Sequence, residues 1–213
     1  LFSERRPHGV AGLVTPWNFP IAIPLWKAAP ALAAGNAVVL KPSTEAIGCA
    51  SLLAEVFAGL LPAGLFQVVP SRAILEHADA VSFTGSNAVG KQVALRATER
   101  GVPVQTEMGG QNAAIVLPDV DLAKAVPQLF WSAFANSGQV CNALSRILVP
   151  EARKDEFVDA LAAAIFPDAG VGRAPVLQRG LHLLGQARPD AAVDVVGGLA
   201  VQVDRVQQRP PDV

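Results

Sequence analysis

A thiol, a carboxamide and a carboxylate stand in settings that could do chemistry together. Cys141 lies in the run Phe134-Ala135-Asn136-Ser137-Gly138-Gln139-Val140-Cys141-Asn142-Ala143. Asn18 lies far upstream in Pro16-Trp17-Asn18-Phe19-Pro20, and Glu107 lies between them in Glu107-Met108-Gly109-Gly110. These are the groups needed to oxidise an aldehyde through a thioester. A free aldehyde carbon has no electron-rich oxygen to push a hydride out, whereas a thiolate adduct does. Cys141 would be the nucleophile, because a thiol reaches its anion more readily than the other common nucleophiles. The Asn18 side-chain amide and the Cys141 backbone N–H could hold the developing oxyanion. Glu107 could then deprotonate the water that hydrolyses the thioester.

Hydride needs an acceptor, and a dinucleotide needs anion contacts. Gly85-Ser86 opens a helical stretch, offering backbone N–H groups, a hydroxyl and the positive end of the helix dipole. Lys41, at the end of a strand-like run, could reach a ribose hydroxyl or a phosphate. Gly109 and Gly110 would let backbone pass close to a cofactor. Gly85 to Gly90 is not the usual dinucleotide fingerprint. Each residue also has a plainer reading. A cysteine without context is more often an inert buried side chain, and Cys49, in an Ala-rich helix, keeps that reading. Asn18 could be a turn residue, Lys41-Pro42 a strand end, Ser86 a helix cap, and Trp17 and Trp26 core or pocket wall. His8, His77 and His182 show no ligand spacing, so no metal is expected.

The elements that must position these groups alternate. Val10–Val14 reads as a buried strand. A helix follows from Pro24 to Gly35, with Pro30 kinking it and Gly35 closing it. Ala37–Leu40 is a second strand, ending in Lys41-Pro42. Ser43 or Thr44 could cap a helix through Leu60 that places Leu52, Leu53, Val56 and Leu60 on one face. Strands at 66–69 and 80–83 flank a brief helix at 73–77. A helix runs from Ser86 to about Arg100, strands follow at 102–106 and 113–117, and a helix begins at Asp121. Strands alternating with helices of this length imply an α/β fold with a mainly parallel sheet. Residues 167–213 show no clear period and stay unassigned.

Composition sets the class. Of 213 residues, 51% are hydrophobic and 16% charged, which is a globular composition. The formal net charge of −1 gives no reason to expect a nucleic acid or an anionic membrane as partner. No apolar run reaches the roughly 18 residues of a membrane span. Two distant cysteines and no visible secretory signal point to a reducing cytoplasm. Starting at Leu1 and not Met is what a fragment of a longer protein would show.

With those motifs in place, the chain resembles the NAD(P)-dependent aldehyde dehydrogenase superfamily. The resemblance is dense from about Arg6 to Phe157, and clearest in 16–20, Trp26-Lys27 through Lys41-Pro42-Ser43, Phe83-Thr84-Gly85-Ser86, 107–110 and Gly138-Gln139-Val140-Cys141. It implies a Rossmann-like cofactor domain over 1–110, with helices on both faces of its sheet. It also implies the start of a catalytic domain over 111–166, left incomplete. NAD or NADP would bind among Trp17, Lys41, Ser43, Thr44, Gly85, Ser86 and Gly109, with Cys141 as nucleophile, Glu107 as base and Asn18 as oxyanion donor. The substrate would be a small aldehyde, and 17–41 is similar to the branch acting on oxo-acid semialdehydes. Members of the family are homo-oligomers.

The chain departs from the family pattern in several places. Thr44 stands where many NAD-preferring members carry Glu. Several residues are missing between Val69 and Ala80, and Gln111 replaces a common Lys. Members run to more than twice this length, and Gly197-Gly198 only faintly echoes their later stretch. Two other readings stay open: a remnant that binds nucleotide without turnover, and a cofactor-free hydrolase using Cys141 and Glu107.

Overall fold

The computed structural model describes residues 1–71, 73–165, 193–196 and 199–204. The chain divides into two compact units, Leu1–Gly109 and Gly110–Val213. Each is described by itself.

The first unit is built on strands β1 (Val10–Thr15), β2 (Ala37–Pro42), β3 (Phe66–Val68), β4 (Ala80–Gly85) and β5 (Val104–Met108). All are parallel, in the order β3-β2-β1-β4-β5. Helices α1 (Ala22–Ala33), α2 (Ile47–Ala58), α3 (Ile74–His77) and α4 (Asn87–Glu99) connect them. Side chains alternate across a strand, so each strand feeds two cores. Ala11, Leu13, Val38 and Leu40 meet Ala28 of α1 and Ala50 of α2 on one face. Val81 and Phe83, with Val14 and Val39, meet Ile74 of α3 and Val93 of α4 on the other. Burial on both faces is why these strands read as continuous apolar runs. The Rossmann-like parallel sheet with helices on both faces is the architecture the family resemblance implies. Gly12 is required where α3 ends against β1, since a Cβ there would sit 2.7 Å from the Ala78 methyl.

Helix α1 keeps Pro30 within it and runs on to Ala33. It ends where Gly35 takes φ +86°. Gly35 N–H donates to Leu32 C=O at 2.9 Å and Asn36 N–H to Ala31 C=O at 3.0 Å, the paired bonds that close a helix through a left-handed residue. The buried Asn36 then accepts from His8 N–H and Gly9 N–H at 2.8 and 3.1 Å. This ties the incoming chain to the start of β1.

Two expectations change around α2. A single 3-10 turn, Thr44–Ala46, precedes the helix, and Ser43 flanks it without a side-chain capping bond. The main chain of Ser43 is already held to β1, its N–H donating to Thr15 C=O at 2.9 Å. Of the apolar set on α2, Leu53 is buried, while Leu52, Val56 and Leu60 are exposed. The small Ala50 supplies the rest of the contact.

The second unit holds β6 (Asn112–Ile115), β7 (Leu144–Pro150), β8 (Val193–Val196) and β9 (Leu199–Asp204), with α5 (Leu122–Phe134) and α6 (Lys154–Ile165). The order is β6-β7-β9-β8, and only the β8–β9 pair is antiparallel. Asp121 caps α5, its carboxylate accepting from Ala123 N–H at 3.0 Å. Val126 of α5 and Phe157 and Leu161 of α6 form one core with Leu144, Ile147 and Val149 of β7. The inward residues of β7 run 144, 147, 149, not 144, 146, 148, because the β6–β7 register shifts between Asn112 and Ala113. Such a bulge moves the buried face by one residue. Strands β8 and β9 lie in the tail that periodicity left unassigned; Gly197-Gly198 falls outside the described residues.

Candidate active site

In the first unit a cavity of about 490 Å³ opens at the carboxyl ends of β1, β2 and β4. The sheet order reverses between β1 and β4, and open α/β sheets bind ligands at such a switch point. Trp17, Lys41, Ser43, Gly85 and Ser86 all line it, so five of the seven residues read as cofactor contacts share one cavity. Thr44, exposed in its 3-10 turn, and Gly109, exposed at the end of the unit, are not in its lining. Ser86 caps α4, its hydroxyl accepting from Val89 N–H at 3.4 Å, and the first turn of that helix faces the cavity through Ser86 and Val89.

Two hydroxyls in the lining are left over. Thr15 is 3% exposed. Its Oγ1 and the Ser43 Oγ are buried with no hydrogen-bond partner among the described residues. Buried hydroxyls are ordinarily bonded, so a cavity edged by two unbonded ones suits a ligand rich in hydroxyl and phosphate oxygens. With a helix N-terminus and Lys41 beside them, the residues present fit a dinucleotide. Glu76 and Arg96 line the same cavity. The Arg96 Nε donates to Glu76 at 2.9 Å and a second guanidinium nitrogen bonds the other oxygen, which holds the Glu76 carboxyl below its ordinary range. Glu76 is on α3, which is a single turn.

Glu107 is exposed on β5 and accepts from Gln105 Nε2 at 3.0 Å. Gln105 leads to Lys27 on the α1 face of the sheet. The Lys27 ammonium donates to Ser82 Oγ at 2.6 Å and to Gln105 Oε1 at 3.0 Å, and Ser82 Oγ donates to the same Gln105 oxygen. Burial pushes the Lys27 amine down, and the negative charge of Glu107 partly opposes this. Sequence reasoning gave Lys27, Ser82 and Gln105 no role. The available signal was that Lys27 is the one charged side chain in the otherwise apolar run Ala22–Ala33. Asn18 follows β1, half-buried, with its side-chain oxygen shielded from solvent.

Cys141 belongs to the second unit. After α5 the chain turns through Asn136, Ser137 and Gly138, all left-handed with φ of 50°, 56° and 72°. Gln139 donates to Asn136 C=O through its backbone N–H at 3.1 Å and its side chain at 3.2 Å. Val140 to Ala143 then form a turn closed by Ala143 N–H to Val140 C=O at 2.9 Å, with Cys141 exposed at its tip. Asn112, at the start of β6, donates its side-chain amide to the carbonyls of Cys141 and Ala143, at 2.9 and 3.0 Å. Sequence reading gave no hint of it.

Among the described residues no three His, Cys, Asp or Glu side chains group as metal ligands. No described helix is long and apolar enough to cross a membrane.

Comparison with known proteins bears on this geometry. The sequence profile of the aldehyde dehydrogenase family matches residues 1–174. The chain is 44% identical over 170 residues to alpha-ketoglutaric semialdehyde dehydrogenase of Bacillus subtilis (strain 168), covering 76% of this chain and 35% of that protein. The crystal structure of a Mycobacterium tuberculosis aldehyde dehydrogenase complexed with NAD+ superposes with a TM-score of 0.71 at 45% identity, over 73% of this chain and 34% of that one. A succinic semialdehyde dehydrogenase from Streptococcus pyogenes, solved with NADP+, superposes with a TM-score of 0.72 at 28% identity, over 77% and 38%. The chain thus spans about a third of the length of the relatives it matches.

Proposed function

The chain belongs to the aldehyde dehydrogenase family, and on that premise we propose that it carries the cofactor site and nucleophile of an enzyme oxidising an aldehyde to a carboxylic acid with NAD+ or NADP+. The observation that carries this is the switch-point cavity, lined by Lys41 and Ser86 and by Thr15 and Ser43, whose buried hydroxyls have no hydrogen-bond partner among the described residues. Trp17 and Gly85 complete its wall, and Thr44 and Gly109 would serve the same ligand from beside it. The relatives named for semialdehydes and the run 17–41 favour an oxo-acid semialdehyde as substrate.

The residues would act in order. The Cys141 sulfur adds to the aldehyde carbon, forming a C–S bond while the carbonyl electron pair moves onto oxygen. The Asn18 amide and the Cys141 N–H hold that oxyanion. When bound, the dinucleotide supplies a two-electron acceptor for the substrate's hydride. Glu107 takes a proton from water, whose oxygen adds to the resulting thioester carbon, and the C–S bond breaks to return the thiolate and release the acid.

The test is an aldehyde-dependent rise in reduced-nicotinamide absorbance. Cys141→Ala should abolish it, and Glu107→Gln should leave one burst but slow deacylation sharply. Normal turnover in Glu107→Gln would show that another group is the base. The alternative reading is a remnant that binds nucleotide at this cavity without turnover. Nucleotide binding without turnover over a panel of aldehydes would support a binding remnant instead.

A further inference from the structure

The turn that carries Cys141 is held in an unusual way. Where β6 and β7 begin, the register shifts, Asn112 pairing with Leu144 and Ala113 with Arg146. Ser145 is the extra residue, and a bulge leaves its residue out of the ladder. Regular strand pairing therefore does not reach back to fix the turn ahead of Leu144. On its other side the turn is entered through Asn136, Ser137 and Gly138, all left-handed, a costly backbone at the two that are not glycine, which persists only where its surroundings enforce it.

A side chain takes the place of the missing ladder. An Asn amide has two N–H donors, and Asn112 spends both on this turn, one on the carbonyl of Cys141 and one on that of Ala143. Asn112 is fixed in its turn by the bulge, since Ser145 Oγ donates to its main-chain carbonyl at 3.1 Å. Gripping the Cys141 carbonyl sets the plane of the peptide that follows the cysteine. With the turn's backbone torsions held as well, that plane limits the directions open to the Cα–Cβ bond, from which the side-chain rotamer carries the sulfur.

We propose that Asn112 is a positioning residue for the Cys141 nucleophile, its two amide bonds and the Ser145 bulge aiming the sulfur along its line of attack. This rests on Cys141 being the nucleophile. Asn112 touches neither substrate nor cofactor in this role; it acts through the cysteine's own peptide.

Asn112→Leu tests it in the full chain, because the side chain keeps its branched shape while it has no donor for either carbonyl and adds no charge beside the thiol. Turnover number should fall about 10- to 100-fold, the range for losing two hydrogen bonds that matter in the transition state. KM for aldehyde and dinucleotide should hold. The pH profile for alkylation of Cys141 by iodoacetamide should also hold, because a small reagent needs a thiolate but not a fixed direction. Asn112→Ser, which keeps one donor, should recover part of the rate, and it decides the matter should the Leu variant fail to fold. Wild-type turnover in both variants would overturn the proposal. So would an alkylation profile that shifts along with turnover, which would mean the residue acts on the thiol's chemistry or on folding. A chain that turns over no aldehyde would sink the functional reading alone. Amide exchange at 141–143 would then decide the clamp: faster exchange in the variant at unchanged melting temperature upholds it, and unchanged exchange refutes it.

Discussion

Thr15→Val should make the protein more stable while weakening its hold on a dinucleotide. The Thr15 hydroxyl is buried at the end of β1, at the wall of the cavity, with no hydrogen-bond partner among the described residues. Stranding such a group costs about 1–3 kcal/mol of desolvation. Valine keeps the branching at Cβ, and with it the stiffness at χ1 that suits a strand. It replaces the stranded hydroxyl by a methyl, whose burial contributes about 0.8 kcal/mol. Strand pairing is untouched, since Thr15 pairs with Pro42 and accepts from Ser43 N–H through main-chain atoms. Taking the low end, because imperfect fit of the methyl subtracts from both gains, the expected stabilisation is about 1–2 kcal/mol.

For a unit of this size each kcal/mol shifts the melting temperature by about 4–8 °C. Chemical denaturation should show a higher midpoint at unchanged slope. Titration with NAD+ and NADP+ should run the other way. A ligand oxygen that bonds the Thr15 hydroxyl loses that bond in the variant, and about 1.4 kcal/mol is a tenfold loss of affinity. A variant less stable than the wild type by 1 kcal/mol or more would refute the reasoning, because the hydroxyl would then have a partner, such as a buried water, to lose.

Gly35→Ala should destabilise the first unit by about 1–2 kcal/mol, the penalty for an L side chain in the left-handed region, read as a lower urea midpoint. The nearest atoms to a Cβ there are 3.5 and 3.6 Å away, so a much larger loss would mean the strain account is incomplete. Lys27→Met should flatten the alkaline limb of the stability profile. Burial lowers the folded-state pKa of Lys27, so between that value and the unfolded one, about 10.4, the unfolded chain binds more protons and stability rises with pH. Denaturation at a series of pH values would show it, and an unchanged rise in the variant would assign it to another group.

The first unit was legible from sequence because its strands are buried on both faces and its punctuation is strong. Val10–Val14 and Ala37–Leu40 are continuous apolar runs, and Gly35 and Ser86 mark a helix end and a helix start with side chains suited to each. What failed were features set by tertiary contact. Ser43 looks like a helix cap, but its N–H is held by Thr15 and its hydroxyl is buried with no hydrogen-bond partner among the described residues. Leu52, Val56 and Leu60 sit at helical spacing, yet the sheet meets α2 through Ala50 and Leu53. The cavity residues that were found carried motif context, while Thr15 and Asn112 did not. Nothing local distinguishes a stranded hydroxyl from a bonded one, or an amide reaching thirty residues along the chain from one facing water.

Both units carry a local energetic penalty at the place where the chemistry is proposed. In the first, two hydroxyls lie unbonded beside Lys41 and the start of α4. In the second, Asn136 and Ser137 hold left-handed conformations ahead of Cys141, each costing on the order of 1–3 kcal/mol for a non-glycine residue. Neither belongs to a core: the apolar clusters described in the two units include none of these residues. A penalty that contributes nothing to packing calls for a different reason to exist. On the proposed function, that reason would be a ligand completing the bonds of the hydroxyls and, for the turn, a sulfur that must point one way. The bonds from Gln139 and Asn112 that hold the turn in place give the second explanation its physical footing, since a strained turn with nothing to enforce it would relax.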